Sequence, residues 1–436
     1  MARMLGESPY QGYVYGYPHK SAYRSLPGPV PLAPLWQAQD RSALFYYVHI
    51  PFCEMRCGFC NLFTRANPRE AMVADYLAAL GRHMETMGEI LSDSGCGGFA
   101  LGGGTPTYLA PDELARVLDD ARRFLGVTPA SVPSSAESSP ATATPERLAV
   151  LRDAGVERLS IGIQSFHEHE TARSGRRQAE TEVHAALSAI RDAGFPVLNT
   201  DLIYGIEGQT VASWLSSIAK LLEYRPEESY LYPLYVRPLT GLGRQARAWD
   251  DQRLELYRAG RDFLLANGYR QVSMRMFRRT DLPAGRTAGY RCQQDGMVGV
   301  GCGARSYTRH LHYSHEYAVS GKAVQAIITA YSRLERGEFA VARHGMLLDD
   351  NERRRRYLLQ SLLQAEGVRR EDYRAQFGDF PENHFGELNM LADGGLAVLI
   401  DGNWRLTPAG LERSDAVGPW LYSEPVRRLM GAGEAG

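Results

Sequence analysis

His49-Ile-Pro-Phe-Cys-Glu-Met-Arg-Cys-Gly-Phe-Cys-Asn61 places Cys53, Cys57 and Cys60 in a C-x3-C-x2-C spacing. The motif follows an apolar run, 43–50, that reads as a β-strand. Three thiolates within eight residues suit three irons of a [4Fe–4S] cube, whereas most such clusters take four cysteines. One iron is then left open to a substrate or cofactor with polar groups. A zinc site is the competing reading, but zinc motifs pair one C-x2–4-C with a second ligand pair elsewhere, and no second pair stands in this chain.

Outward from that loop, strand-like and helix-like segments alternate. Strands are expected at 43–50, 98–103, 130–137, 157–164, 196–204 and 229–236, with helices at 69–91, 111–125, 145–154, 178–193 and 210–223. Six βα units argue for a parallel sheet with crossover helices, and the cysteine loop falls at the end of the first strand. A further helix is expected at 250–267 and a strand at 269–277, followed by the Gly-rich stretch Gly299-Val-Gly-Cys-Gly-Ala-Arg-Ser306. We divide the chain into an aromatic and proline-rich arm (1–42), a partial barrel (43–245), a barrel extension (246–320) and a helix-rich C-terminal domain (321–436). The arm reads either as a segment packed on the barrel or as a flap over the site. The run Arg353–Arg356 reads as a solvated helix face.

The 436 residues carry a formal net charge of −1, so no global field favours nucleic acid or an anionic membrane. Lys20, Lys220 and Lys322 are the only lysines; the remaining cationic charge is arginine. No apolar run is long enough to span a bilayer, and no basic-then-apolar leader opens the chain. Half of the six cysteines lie in one loop, which suits metal binding in a reducing compartment. A cytoplasmic protein is expected.

Gly102-Gly-Gly-Thr-Pro-Thr107 follows the second strand; glycines there let backbone approach a ligand and present N–H donors. Ser135-Ala-Glu-Ser-Ser-Pro140, Gly162-Ile-Gln-Ser-Phe166, Ser174-Gly-Arg176 and Asp201-Leu-Ile-Tyr-Gly205 follow in order. Together with Tyr47-Val-His-Ile-Pro-Phe-Cys53, these motifs resemble the oxygen-independent coproporphyrinogen III oxidase family of the radical S-adenosylmethionine (SAM) superfamily. The resemblance implies an α/β fold, an incomplete (β/α)6 barrel related to the TIM barrel, with a small, helix-rich C-terminal domain. It implies a [4Fe–4S] cluster on Cys53, Cys57 and Cys60, and SAM, one molecule or two, held by Tyr47, Phe59, Gly103, Gly104, Thr105, Glu137, Gln164, Arg176 and Asp201. Carboxylates suit ribose hydroxyls and an ammonium, and a guanidinium suits a carboxylate. Implied too are reductive cleavage of SAM to a 5′-deoxyadenosyl radical, an electron donor such as flavodoxin or ferredoxin, and a small-molecule substrate.

The chain departs from that family where substrate contacts are expected. Gln178 stands near the position of a usual histidine, and Glu207 replaces a proline. Gly268-Tyr-Arg-Gln-Val-Ser-Met-Arg-Met276 and Tyr290-Arg-Cys-Gln-Gln-Asp-Gly296 replace family elements, the second of them tied to haem binding in haem-chaperone relatives. The expected reaction is therefore oxidation or SAM-derived carbon transfer on another small molecule. Alternatives are sulfur insertion at a second Fe–S cluster on Cys292 and Cys302, coproporphyrinogen III dehydrogenation, or haem carriage without turnover. Cys96, before the second strand, reads as structural.

Overall fold

The run Leu44-Phe-Tyr-Tyr-Val-His-Ile50 forms the first strand, β1. In the computed structural model, which describes residues 8–236, 240–242, 252–283 and 290–434, five more parallel strands follow. These are β2 (Cys96–Gly103), β3 (Ser134–Ser138), β4 (Arg158–Gln164), β5 (Val197–Tyr204) and β6 (Glu228–Pro233). They lie in sequence order in one sheet, each paired in parallel with the next. Helices α1 (Glu70–Ile90), α2 (Pro111–Leu125), α3 (Pro145–Asp153), α4 (Glu180–Asp192) and α5 (Val211–Glu223) alternate with them, as the periodicity predicts. A short helix, Glu168–Arg173, precedes α4 and was not anticipated.

The barrel does not close. Outside β6, the segment predicted as one strand over 269–277 is instead a hairpin, Tyr269–Gln271 with Met276–Arg279, antiparallel to β6. Outside β1, Met297–Val300 adds a seventh parallel strand, β7, which leads into antiparallel strands Arg305–Tyr307, Leu311–Ser314 and Val341–Leu347. Glycine is required at 299 because a Cβ there would stand 2.2 Å from the Arg305 carbonyl oxygen of the returning strand.

The N-terminal arm is ordered where it is described. Its strand Arg24–Pro31 pairs with Val341–Leu347. Ahead of that strand, the Tyr13 ring meets Tyr232 of β6 edge-on at 6.2 Å and lies under the Arg275 guanidinium at 3.8 Å. A second core, separate from that of the barrel, gathers Tyr17 of the arm with Leu358, Leu362, Tyr373, Trp404 and Val417. Arg353–Arg356 is not a solvated face. The side chains of Arg353 and Arg355 are 18% and 11% exposed, and Arg356 is buried. Helix Asp350–Leu362 packs that face inward, and the guanidiniums of Arg355 and Arg356 donate to the backbone carbonyls of Leu421 and Cys292.

Candidate functional site

Glu137 of β3, Ser160 of β4 and Asn199 and Asp201 of β5 form a polar group among the barrel strands, and a barrel interior holds either packed side chains or a ligand. At its C-terminal rim the cysteine loop leaves β1. Phe52–Cys53 pairs with Arg65–Ala66, and a turn brings the Cys60 N–H to the Cys57 carbonyl at 3.1 Å. All three thiols are free and half-buried. Gly58 lies against the backbone of Ser174 and Gly175, where a Cβ would sit 2.8 Å from the Ser174 oxygen. Its N–H donates to Ser174 O at 3.1 Å and its carbonyl accepts from Leu242 N at 2.8 Å.

Each thiol has a polar neighbour. Thr105 Oγ1 donates to Cys53 Sγ at 3.5 Å, Arg176 Nη1 lies 3.8 Å from Cys57 Sγ, and Thr64 Oγ1 is 3.9 Å from Cys60 Sγ. Burial raises the Cys53 thiol to about 12, with Cys60, Glu54 and Cys57 adding to the rise. Burial raises Cys57 as well, opposed by the Arg176 charge. A bound metal reverses this by taking the thiolate. Among the described residues no three His, Cys, Asp or Glu side chains converge as around a single ion. Each of the three thiols thus has a polar side-chain atom within 4 Å of its sulfur, the kind of neighbour that stabilises charge on a metal-bound thiolate.

The glycine turn after β2 lies directly on this loop. A Cβ at Gly104 would be 2.8 Å from Cys53 Sγ, and Gly103 adopts φ +120°. Its N–H groups are not outward donors: Gly103 N donates to Glu137 Oε2 at 3.0 Å, Gly104 N to Ile50 O at 2.8 Å and Thr105 N to Phe52 O at 2.8 Å. The glycines allow close approach, and the turn's donors hold Glu137 and the cysteine loop in place.

Two carboxylates project into the lumen. Glu137 (β3) is raised to about 7, first by its depth in the barrel and then by the Asp201 charge, against the Gly103 N–H. The residue nonetheless keeps solvent-accessible surface. Asp201 (β5) is raised to about 6 by burial, opposed by Arg158 and by the Asn199 amide that donates to it at 2.9 Å. Arg158, at the start of β4, itself pairs with Glu228, at the start of β6, at 2.7 Å. Tyr47 touches the position a Gly102 Cβ would fill, and its hydroxyl lies 3.2 Å from His49 Nδ1. Phe59 packs with Ile203, Ile206, Leu234 and Leu242 as an apolar ledge beside the loop.

Gln164 closes β4 at φ +70°, on a register shift after Gly162. Gln178 braces the site in a way the sequence did not disclose. Its side chain accepts from Arg176 Nε at 2.8 Å and donates to Ile163 O at 2.6 Å, so Arg176 is held over Cys57.

Cys292 and Cys302 are not brought together. Cys292 precedes β7 and lines a cavity, while Cys302 follows β7, buried on Tyr76. Cys96 begins β2, at the opposite end of the barrel from the thiol loop. No described helix is long and apolar enough to cross a membrane.

Residues 47–221 match the model of the Radical SAM superfamily, and residues 348–412 match that of the HemN C-terminal domain. Curated relatives include a heme chaperone HemW of Bacillus subtilis, 29% identical over 60% of this chain and 70% of that protein. Another is the oxygen-independent coproporphyrinogen III oxidase of Pseudomonas aeruginosa, 28% identical over 79% of this chain and 77% of that one. Among solved structures, Escherichia coli coproporphyrinogen III oxidase (HemN) superposes with a TM-score of 0.79 at 22% identity, over 94% of this chain and 96% of that one. That likeness establishes the incomplete barrel with its helix-rich C-terminal region.

Proposed function

Because this chain belongs to the radical SAM superfamily, we propose that it is an enzyme that cleaves SAM reductively and modifies a small-molecule substrate by oxidation or by transfer of a SAM-derived carbon. The observation that carries this reading is the three-thiol loop, held against the glycine turn with Arg176 and Thr105 on its sulfurs and two carboxylates beside it. Bound there, a [4Fe–4S] cluster on Cys53, Cys57 and Cys60 together with SAM supplies one-electron cleavage of the 5′ carbon–sulfur bond and a radical that abstracts hydrogen.

The protein's own groups bind and orient. Glu137, fixed by Gly103 N–H, and Asp201, fixed by Asn199, are placed to accept hydrogen bonds from ribose hydroxyls and an ammonium. Arg176 offers its guanidinium to a carboxylate while lowering the charge burden on Cys57. Phe59 and its apolar neighbours give adenine a dry surface. Tyr47 and Gln164 border the same space, and Gly104 and Thr105 seat the cysteine loop against it.

The test is anaerobic reconstitution with iron and sulfide, then SAM and dithionite, with 5′-deoxyadenosine read by chromatography. Wild type is expected to form it and Cys57→Ala to form none; a wild-type protein with four irons and no product overturns the reading. Haem carriage is a second reading, favoured by relatives named as heme chaperones. It predicts a stoichiometric Soret shift with haemin.

A further inference from the structure

Below Tyr47, on the open side of the barrel, lies a cavity of about 290 Å³. Its walls come from five distant parts of the chain: Tyr15 of the arm, Phe45 and Tyr47 of β1, Tyr290 and Cys292 before β7, Arg305 and Tyr307 just beyond it, and Arg356 of helix Asp350–Leu362. Tyr47 borders both this space and the carboxylate-lined lumen. Phe45 lies two residues lower on β1, about 7 Å along the strand.

The charge in this cavity is one-sided. The Arg305 guanidinium stands over the Tyr15 ring at 4.6 Å and 5.8 Å from the Tyr307 centroid, and its Nη1 is buried with no hydrogen-bond partner. The Arg356 guanidinium stands 5.5 Å from the same Tyr307 ring and donates only to the backbone carbonyls of Cys292 and Asp295. Among the described residues neither arginine forms an ion pair with a carboxylate. The groups around Arg305 are phenols, namely Tyr307, Tyr15, Tyr23 and Tyr47. The buried Tyr23 hydroxyl has no partner, and neither has the imidazole of His312, which lies against Tyr307 at 4.4 Å. Burial and the two arginines keep that imidazole neutral.

Arg356 is buried and Arg305 partly so; a guanidinium drawn from water without an anion carries a desolvation cost, and cation–π contact offsets only part of it. An arginine fork matches a carboxylate in plane and reach. Of the remaining walls, Phe45, Met297, Tyr290 and Tyr17 are apolar or aromatic and Gln360 is a neutral amide, with Tyr290 tilted over Phe45 at 5.0 Å. Gly16 keeps the space open, since a Cβ there would meet the Tyr307 hydroxyl at 3.1 Å. A cavity of this volume has room for a one-ring acid. We propose that this cavity binds a small carboxylic acid with an aromatic or apolar body, its carboxylate on Arg305 and Arg356, and that this acid is the substrate. The word substrate rests on the SAM-cleaving function proposed above, whereas the binding does not.

The experiment is calorimetric titration of the full-length, anaerobically reconstituted protein with benzoate, 4-hydroxyphenylacetate and indole-3-acetate, each against its neutral amide and against inorganic phosphate. At least one acid is expected to bind saturably and at least tenfold more tightly than its amide and than phosphate. Arg305→Gln and Arg356→Gln are each expected to weaken that acid at least tenfold and to leave the amide unchanged. Cys57→Ala, without the cluster, is expected to bind the acid as wild type does, so loss of SAM cleavage and loss of acid binding are read separately. No saturable acid, equal affinity for acid and amide, or tighter binding of phosphate overturns the proposal; the wild-type comparison decides even if a variant does not fold.

Discussion

Arg176 Nη1 lies 3.8 Å from Cys57 Sγ, and Gln178 holds Arg176 there by accepting from its Nε at 2.8 Å. A cation beside a metal-bound thiolate draws charge from the sulfur and raises the potential of the centre it ligates. Arg176→Gln is therefore expected to retain four irons but to lower the midpoint potential of the cluster, with slower 5′-deoxyadenosine formation. Gln178→Ala is expected to do the same more weakly. Redox titration followed by electron paramagnetic resonance checks both, and an unchanged potential in Arg176→Gln refutes the role.

Glu137 and Asp201 set a pH dependence whose sign follows from their raised values of about 7 and about 6. In the folded, ligand-free protein they hold protons that the unfolded chain releases from about pH 4 upward. Their ionisation thus makes stability fall as pH rises through 4 to 7. On the SAM site proposed above, affinity is expected to move the opposite way, because a cationic ligand and its hydroxyls need the ionised acceptors. We expect binding to strengthen from pH 5.5 to 7.5, and Glu137→Gln to flatten both profiles. Thermal melts and SAM titrations at matched pH measure the two slopes.

Gly58 stands where the cysteine loop crosses the Ser174–Gly175 backbone, with 2.8 Å between its would-be Cβ and Ser174 O. Gly58→Ala forces one backbone away from the other, a cost of about 1–3 kcal/mol by analogy with overpacked cores. The expected result is reduced iron retention at unchanged helix content, measured by iron assay and circular dichroism.

Arg275 and Asp415 form a buried ion pair between the hairpin outside β6 and the C-terminal region, with the Tyr235 hydroxyl also donating to Asp415. The Arg275 guanidinium also covers Tyr13 of the arm at 3.8 Å. Arg275→Met leaves the Asp415 charge buried, which for such pairs costs about 3–5 kcal/mol. A fall in denaturation midpoint is expected, together with faster proteolysis of the arm if Tyr13 loses its seat.

Much of the barrel was legible because its signals are local. The apolar run 43–50, the glycines of Gly102–Gly104 and the helix periods each depend on neighbours a few residues away. The Gly-rich stretch near 299–306 hid β7, since its four residues, Met297–Val300, carry a strand only by pairing with β1 on one side and accepting the returning Arg305 on the other. Likewise 269–277 reads as one strand, yet the chain turns between Gln271 and Met276 to bring Arg275 onto Asp415.

By itself the sequence determined the thiol loop, its place after the first strand and a parallel α/β sheet, which follow from spacing and local conformational preference, while the incomplete barrel and the motifs of its lumen were implied by the family resemblance. Only the tertiary structure decided that the glycine turn spends its N–H groups on Glu137 and the loop, that Gln178 braces Arg176, that Cys292 and Cys302 lie beyond opposite ends of β7, and that Arg305 and Arg356 share one cavity. Those relations join residues tens to hundreds of positions apart. Their energies come from burial and charge compensation, which exist only once distant segments have excluded the water between them.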